Sequence, residues 1–486
     1  MNRSTIVVTF AALILTSITS LAASLTRGDL AQERAASLME AEWFELMDTG
    51  PFISNTFFGL GRDGDLAVLK GIAIKVGAAE DRSVVFDTEL LRMVGGFDGR
   101  VTLAGTAWNG KNGDSSHLPG ERSAYYFFTE RTPGWSIDGN WHDPRLDGYG
   151  PLPREVAKYR GLYRYNGDVM LEYTVDRTLV REAPRFEEGA LIRHFKIGST
   201  HRQLQMLVAD PFPEDAGRGA WPKISHRLVG GGGGMSLVTL ESGRVVVTLP
   251  AGMPAGEFQV VYERGAGQAV PGAPIDWERF LEGGPVIYPE TITTKGILGE
   301  DQRPYTVDTI PYPAENPWFA NTRFGAFDFF KDGDRIACST WNGDVWIASG
   351  VSGDLKSIQW KRFASGLFQT LGLKIIDGVI YTQGRDQITR LHDLNGNGEA
   401  DFYENFNNDV KITAGFHEFS FDLVTDEEGS LWFSKGMPVQ SGGRGFAPWT
   451  EHSGSVLKIS ADGETLERYA SGLRAPGGIG VGPTEK

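Results

Sequence analysis

Three times in the last third of the chain, two short strand-like runs flank a turn made of an acidic residue and a glycine. Phe327-Asp-Phe-Phe-Lys-Asp-Gly333 precedes Arg335–Thr340, and Leu373-Lys-Ile-Ile-Asp-Gly378 precedes Val379-Ile-Tyr381. Phe421–Gly429 precedes Ser430-Leu-Trp-Phe-Ser434, and the turn glycines are spaced by 45 and 51 residues. Trp341-Asn-Gly-Asp344 and Ser460-Ala-Asp-Gly463 add further hairpin turns within the units. A repeat of this length with two hairpins per unit is the pattern of a β-propeller. Residues 319–486 hold about three blades, and Gly478-Ile-Gly-Val-Gly-Pro483 reads as the first strand of another. The expected propeller is therefore incomplete: the chain is a fragment of a longer one, or another molecule supplies the missing blades.

Short strands also dominate upstream. Gly71–Val76, Arg82–Phe86, Asp168–Tyr173 and Arg244–Leu249 are β-rich runs bounded by Gly, Asp or Asn. Tyr165-Asn-Gly-Asp168 predicts a hairpin, because Asn-Gly accepts the positive φ of a type I′ turn. The frequent turns fit the 63 glycines among 486 residues. Residues 50–270 read as an antiparallel β-sandwich-like domain, with Gly230–Gly234 as a mobile loop. Between 271 and 318 the periodicity fades under repeated prolines, so this stretch reads as a linker. The fold class is all-β.

Residues 1–23 read as an export signal. Met1-Asn-Arg3 is basic, Thr5–Leu15 is uncharged and mostly apolar, and Ser20-Leu-Ala22 or Leu21-Ala-Ala23 offers a cleavage site. Asp29–Met47, within residues 24–49, predicts an amphipathic helix capped by Asp29. The expected location is periplasmic or secreted, with no transmembrane segment after signal cleavage. Lys and Arg total 47 against 62 Asp and Glu, a net charge of −15. That balance argues against nucleic acid as a partner. Cys338 is the one cysteine, so an internal disulfide, a haem-attachment motif and a thiolate zinc site are all excluded, and the residue reads as an inert buried thiol.

The sharpest motif is Asp393-Leu-Asn-Gly-Asn-Gly-Glu-Ala-Asp-Phe-Tyr-Glu404, which fits D-x-[DN]-x-[DN]-G-x5-E. Calcium takes hard oxygens, and alternate positions of a tight loop turn theirs inward. Asp393, Asn395, Asn397 and Asp401 supply side-chain oxygens, Glu399 its carbonyl, and Glu404 the closing carboxylate. The flanking runs are strand-like, so the loop is expected inside a β-hairpin. Gly59-Leu-Gly-Arg-Asp-Gly64 matches G-x-G-x-x-G, but strands follow it where a dinucleotide site needs a helix. None of the eight histidines pairs at metal-ligand spacing.

Residues 322–482 resemble the soluble quinoprotein glucose/sorbosone dehydrogenases, secreted β-propellers. The similar stretches are Ala364–Leu373, His417–Ser434 and Ala470–Ile479. The whole chain resembles the N-terminal part of large secreted bacterial proteins of the membrane-bound dehydrogenase type. These join an uncharacterised β-rich domain to such a propeller, often with a cytochrome c domain after it. Lys70–Val76, Phe86–Arg92, Tyr159–Tyr163, Glu315–Trp318 and Asp393–Asn408 carry that likeness. The resemblance implies a PQQ-type oxidation of a sugar or alcohol, with His417 as the base and Arg474 as the quinone contact. In Gly472-Leu-Arg-Ala-Pro476 the family's Asn is Ala475. With no haem motif, electrons would pass to an external acceptor such as a cytochrome. Two other functions stay open: a non-catalytic secreted module that binds carbohydrate such as a polysaccharide, and a propeller lactonase or other hydrolase.

Overall fold

Turn chemistry sets the strand boundaries. Asn166 and Gly167 both have positive φ (49° and 89°), as do Asp377 and Gly378 (51° and 83°). Each pair closes the two-residue hairpin that its sequence predicts. The computed structural model describes residues 47–59, 66–77, 81–103, 116–213, 219–265, 271–300, 305–415, 417–439 and 448–482. The expected signal segment, the Asp29–Met47 helix apart from Met47, and most of the Gly59–Gly64 motif lie outside these residues. Among the described residues the single α-helix is Trp277–Glu282, and no helix is long and apolar enough to cross a membrane. The all-β reading holds.

The first sheet has the order β5-β1-β2-β3-β4-β6. Its strands are β1 (Phe52–Phe58), β2 (Leu66–Val76), β3 (Arg82–Asp87), β4 (Arg92–Asp98), β5 (Ser116–His117) and β6 (Tyr125–Phe128). All pairs are antiparallel except the short β1–β5 pair. It packs against a small sheet of β7 (Trp135–Ile137), β12 (Leu204–Ala209), β14 (Ser236–Thr239) and β15 (Val245–Leu249). It also packs against β8 (Ala157–Tyr165), β9 (Asp168–Val175), β10 (Thr178–Glu187), β11 (Ala190–Ile197), β13 (Ile224–Gly230) and β16 (Gly256–Arg264). Strand alternation builds the shared core: Ile72, Ile74, Val84 and Phe86 of the first sheet meet Leu171, Tyr173, Leu191 and Phe195. Gly230 to Gly234 begin at the end of β13 and lead into β14.

Three four-stranded antiparallel meanders follow, each in simple chain order. The first is β18 (Phe324–Phe329), β19 (Arg335–Thr340), β20 (Val345–Ser349) and β21 (Ile358–Ala364). The second is β22 (Gly372–Ile376), β23 (Val379–Gln383), β24 (Ile388–His392) and β25 (Phe402–Asn407). The third is β26 (Ser420–Thr425), β27 (Leu431–Lys435), β28 (Ser455–Ile459) and β29 (Leu466–Ser471). Their opening strands β18, β22 and β26 lie side by side. Backbone and side-chain bonds tie neighbours together: Ile375 N donates to Asp328 Oδ2 (2.9 Å) and Asp422 N to Leu371 O (3.0 Å).

The two halves of the chain are not separated by a plain linker. β25 pairs with β8, so the second meander and the sandwich strands share one ten-stranded sheet. The seam stacks Tyr163 on Phe402 with centroids 4.0 Å apart. It also needs Gly161, whose φ is 140° and whose Cβ would collide with Tyr403 O. The pairing satisfies an edge that β25 would otherwise expose. Residues 271–318 cover a second edge: β17 (Thr291–Thr294) pairs with β21. The same stretch buries Tyr288 and Trp318 against Trp346 and Trp360. Its order comes from a few aromatic anchors, which leave no periodic signature.

Candidate functional site

The Asp393 loop joins β24 to β25, in a β-hairpin as expected. Asp393 folds it from within: Oδ1 accepts from Asn397 N (3.0 Å) and Oδ2 from Gly398 N (2.8 Å). Asn395 Oδ1 also accepts from Asn397 N, and Asn397 Oδ1 from Glu399 N. Both amides donate to Gly284 O, while Asp401 accepts from Gly284 N (2.8 Å) and Leu394 N (3.0 Å). Burial pushes the Asp401 carboxyl up from its ordinary range. The side-chain oxygens of Asp393, Asn395, Asn397 and Asp401 are of the hard type that calcium takes, and here each accepts a backbone N–H.

The two glutamates of the motif lie differently. The Glu399 side chain is fully buried and turned into the protein. It accepts from Tyr288 N (2.7 Å), Ile287 N (2.9 Å) and Arg164 Nη2 (2.9 Å). Arg164 also donates to Ala400 O (2.5 Å). The expected closing ligand, Glu404, is on β25 and pairs with Arg390 and with His392 Nε2 (2.7 Å). Against the pull of burial, these two partners hold its carboxyl below the usual range. Strand alternation explains this, because a residue of a paired strand faces its cross-strand neighbours rather than the preceding loop. Among the described residues no group of three or more His, Cys, Asp or Glu side chains could hold a metal ion.

His417 and Arg474 lie near one another at one end of the third meander. His417 precedes β26 with φ 65°. Its carbonyl packs so closely on Gly436 that a Cβ there would come within 2.6 Å. The next residue, Met437, donates its N–H to Arg474 O (2.8 Å). Burial, and then the charge of Arg474, hold the His417 imidazole below its ordinary pKa, so it is neutral at pH 7.

Sequence reasoning missed the strip that leads to this pair. Phe419 lies 5.9 Å from the His417 ring and 4.6 Å from Trp341, centroid to centroid. Arg323 sits 5.0 Å over Trp341, and Arg385 6.0 Å over Phe419. Arg323 and Arg474 are exposed, whereas Arg385 is buried and donates to Thr413 O (3.1 Å) and Gly415 O (2.6 Å). All three meanders contribute to the strip. Arg323 precedes β18, Trp341 follows β19, Arg385 follows β23, and His417 and Phe419 precede β26, so the strip has no common spacing in the sequence.

Below His417, the buried Glu418 carboxylate accepts from Thr413 N and Oγ1 (both 2.7 Å) and from Ser453 Oγ (3.1 Å). Lys435 Nζ lies 2.7 Å from it. Burial pulls the Lys435 ammonium down to about 8, against the attraction of Glu418. This network fixes the loop from which His417 projects. A neutral imidazole beside an exposed guanidinium and an aromatic floor can accept a hydroxyl proton and attract an anionic, planar molecule.

A family model described as a domain of unknown function, DUF6797, matches residues 84–182. That span runs from β3 into β10, within the sandwich strands; the strip lies outside it, while its Arg164 bonds to Glu399 and Ala400 O of the Asp393 loop. No curated protein matches the chain.

Proposed function

We propose that this is an exported protein, periplasmic or secreted, whose three meanders are blades of a β-propeller carrying a quinoprotein dehydrogenase site. The observation that carries the reading is the placement of neutral His417 beside Arg474, at the end of an aromatic strip built from all three meanders. The simple chain order of the meanders and the adjacency of β18, β22 and β26 support the propeller part.

The exposed Arg323 and Arg474, with the Trp341 and Phe419 rings between them, suit PQQ, a planar aromatic anion. When bound, the quinone supplies a two-electron acceptor for oxidation of a sugar or alcohol carbon. His417 takes the substrate hydroxyl proton, which its neutral state at pH 7 permits. Arg474 is always charged and stabilises negative charge that develops beside it. Trp341 and Phe419 exclude water from one side of the site. Asp393, Asn395, Asn397 and Asp401, with the Glu399 carbonyl, hold calcium in this reading, and electrons leave to an external acceptor such as a cytochrome.

The test is dye reduction by the full chain with added PQQ, offered a panel of aldoses and primary alcohols. Turnover that falls about 10²–10⁴-fold in His417→Ala supports the base role. Undiminished turnover in that variant, or lactone hydrolysis without quinone, overturns it.

A further inference from the structure

The first sheet is apolar on both faces. Ile72, Ile74, Val84 and Phe86 point into the shared core, while Phe57, Ala73, Val85, Val94 and Phe97 of its outer face form a second cluster. An antiparallel sheet with one face in water reads polar on that face. Leu118, Tyr125 and Trp221 cover part of the outer face. The same face carries a groove of about 270 Å³, lined by Ile53, Ala73, Lys75, Ser83, Arg100 and Leu103 among others. Ile53 pairs with Ala73, and Lys75 with Ser83, so these four side chains share one face by strand alternation. Small residues on two adjacent strands, Ala73 and Ser83, leave the floor low.

The groove begins where the chain enters the sheet. Met47 and Thr49 belong to its lining, and both are buried. Three bonds fix this entry point. Asp48 N donates to Trp318 O (2.9 Å), Arg362 Nη2 donates to Asp48 O (2.7 Å), and Ser365 Oγ donates to Thr49 O (3.1 Å). Residues 29–46 lie outside the described residues, and they join the chain at Met47, in the groove itself.

The sequence of that segment matches the groove in period, charge and length. Ala36, Met39, Trp43 and Leu46 recur at intervals of three or four, which puts them on one stripe of a helix. At 3.6 residues per turn, Glu40 and Glu42 lie about 80° to either side of that stripe. The two cations of the lining, Lys75 and Arg100, complement them. Asp29, Glu33, Glu40, Glu42 and Glu45 stand against Arg34 alone, so the segment has a net charge of −4. As a helix its 18 residues extend about 27 Å. Six strands at ~4.8 Å spacing are about 24 Å across, so the segment is long enough to cross the sheet.

We propose that residues 29–46 dock as a helix in this groove and across the outer face of the first sheet. Met39 and Trp43 fill the groove, and Glu40 and Glu42 face Lys75 and Arg100. The chain supplies its own occupant, so the groove is an intramolecular interface and not a ligand site.

Two measurements on the full chain test this. Carbodiimide joins a lysine amine to a carboxylate in contact with it as an amide, and the reagent takes up the water that is lost. Peptide mapping should find Lys75 joined to Glu40 or Glu42 of the same molecule. Hydrogen exchange should show amides 36–46 protected at least about 10²-fold over an unfolded peptide. Reversing both cations (Lys75→Glu with Arg100→Glu) should lower that protection about fivefold or more, and adding Glu40→Lys with Glu42→Lys should restore it. Exchange of amides 36–46 at unfolded rates in the unsubstituted protein overturns the proposal. So does a Lys75 cross-link that forms only between isotope-labelled and unlabelled copies, which would make a second copy the occupant. Both results are readable even if the variants fail to fold. Protection that survives the double reversal unchanged also overturns it.

Discussion

Replacing Glu399 by Ala should loosen the joint between the two halves of the molecule. The buried carboxylate accepts two backbone N–H groups of the connecting stretch, Ile287 and Tyr288, and the guanidinium of Arg164 on β8. Arg164 is itself 3% exposed and would keep its bond to Ala400 O and a longer ion pair with Asp401 (3.9 Å). Breaking a buried ion pair from one side costs about 3–5 kcal/mol, because the other charge stays buried. Each orphaned N–H adds about 1–3 kcal/mol, but these terms overlap where water can enter the vacated space. We expect about 4–6 kcal/mol for Glu399→Ala, and about 1–3 kcal/mol for Glu399→Gln, which keeps the shape and one acceptor. Urea unfolding followed by tryptophan fluorescence reads the total. Amide hydrogen exchange at Ile287 and Tyr288 reads the local loss of protection. A cost below ~1 kcal/mol for Glu399→Ala, with both amides still protected, would refute the reasoning.

Three further outcomes follow from other groups. Burial pushes the Asp386 carboxyl up to about 6, against the pull of Lys70, whereas an unfolded aspartate titrates near ~3.9. The native state therefore holds a proton that the unfolded state releases, and the group's contribution to stability falls as pH rises through that window. Asp386→Asn removes this loss. Relative to wild type it should gain up to about 2–3 kcal/mol between pH 4 and pH 7 in urea titrations, and parallel curves would contradict this. Calcium should bind the Asp393 loop with Kd on the order of 10⁻⁴–10⁻³ M and raise the melting temperature. Asp393→Ala should abolish that rise and Glu404→Gln should leave it, whereas an equal response in wild type and Asp393→Ala would show that the loop is only a turn. Burial pushes the Cys338 thiol up to about 12, so an aromatic disulfide reagent should label it in urea and not in the native protein at pH 8.

What the sequence disclosed was local. The turns at Asn166-Gly167 and Asp377-Gly378 were legible because positive φ selects those residues. The meanders were legible because their turns recur at a period. The β8–β25 seam was not, since Gly161 and Glu404 are 243 residues apart and a strand edge carries no mark of its distant partner. The Asp393 motif was found, but its spacing could not show that the Glu399 side chain turns inward or that Glu404 faces Arg390 and His392. His417 and Arg474 were singled out through resemblance. Their floor of Trp341 and Phe419 forms only when separate meanders come together, and so does the approach of Arg323.

Binding of PQQ to the full chain, measured by ultrafiltration at equilibrium, tests the proposed site most directly. Retention by the unsubstituted protein should weaken about tenfold or more in Arg474→Ala, as expected for loss of a charged hydrogen-bond donor, and further when Arg323 is also replaced. His417→Ala should retain PQQ, because the imidazole acts on the substrate. No retention by the unsubstituted protein, or equal retention when both arginines are alanine, would contradict the assignment of the strip as a quinone site.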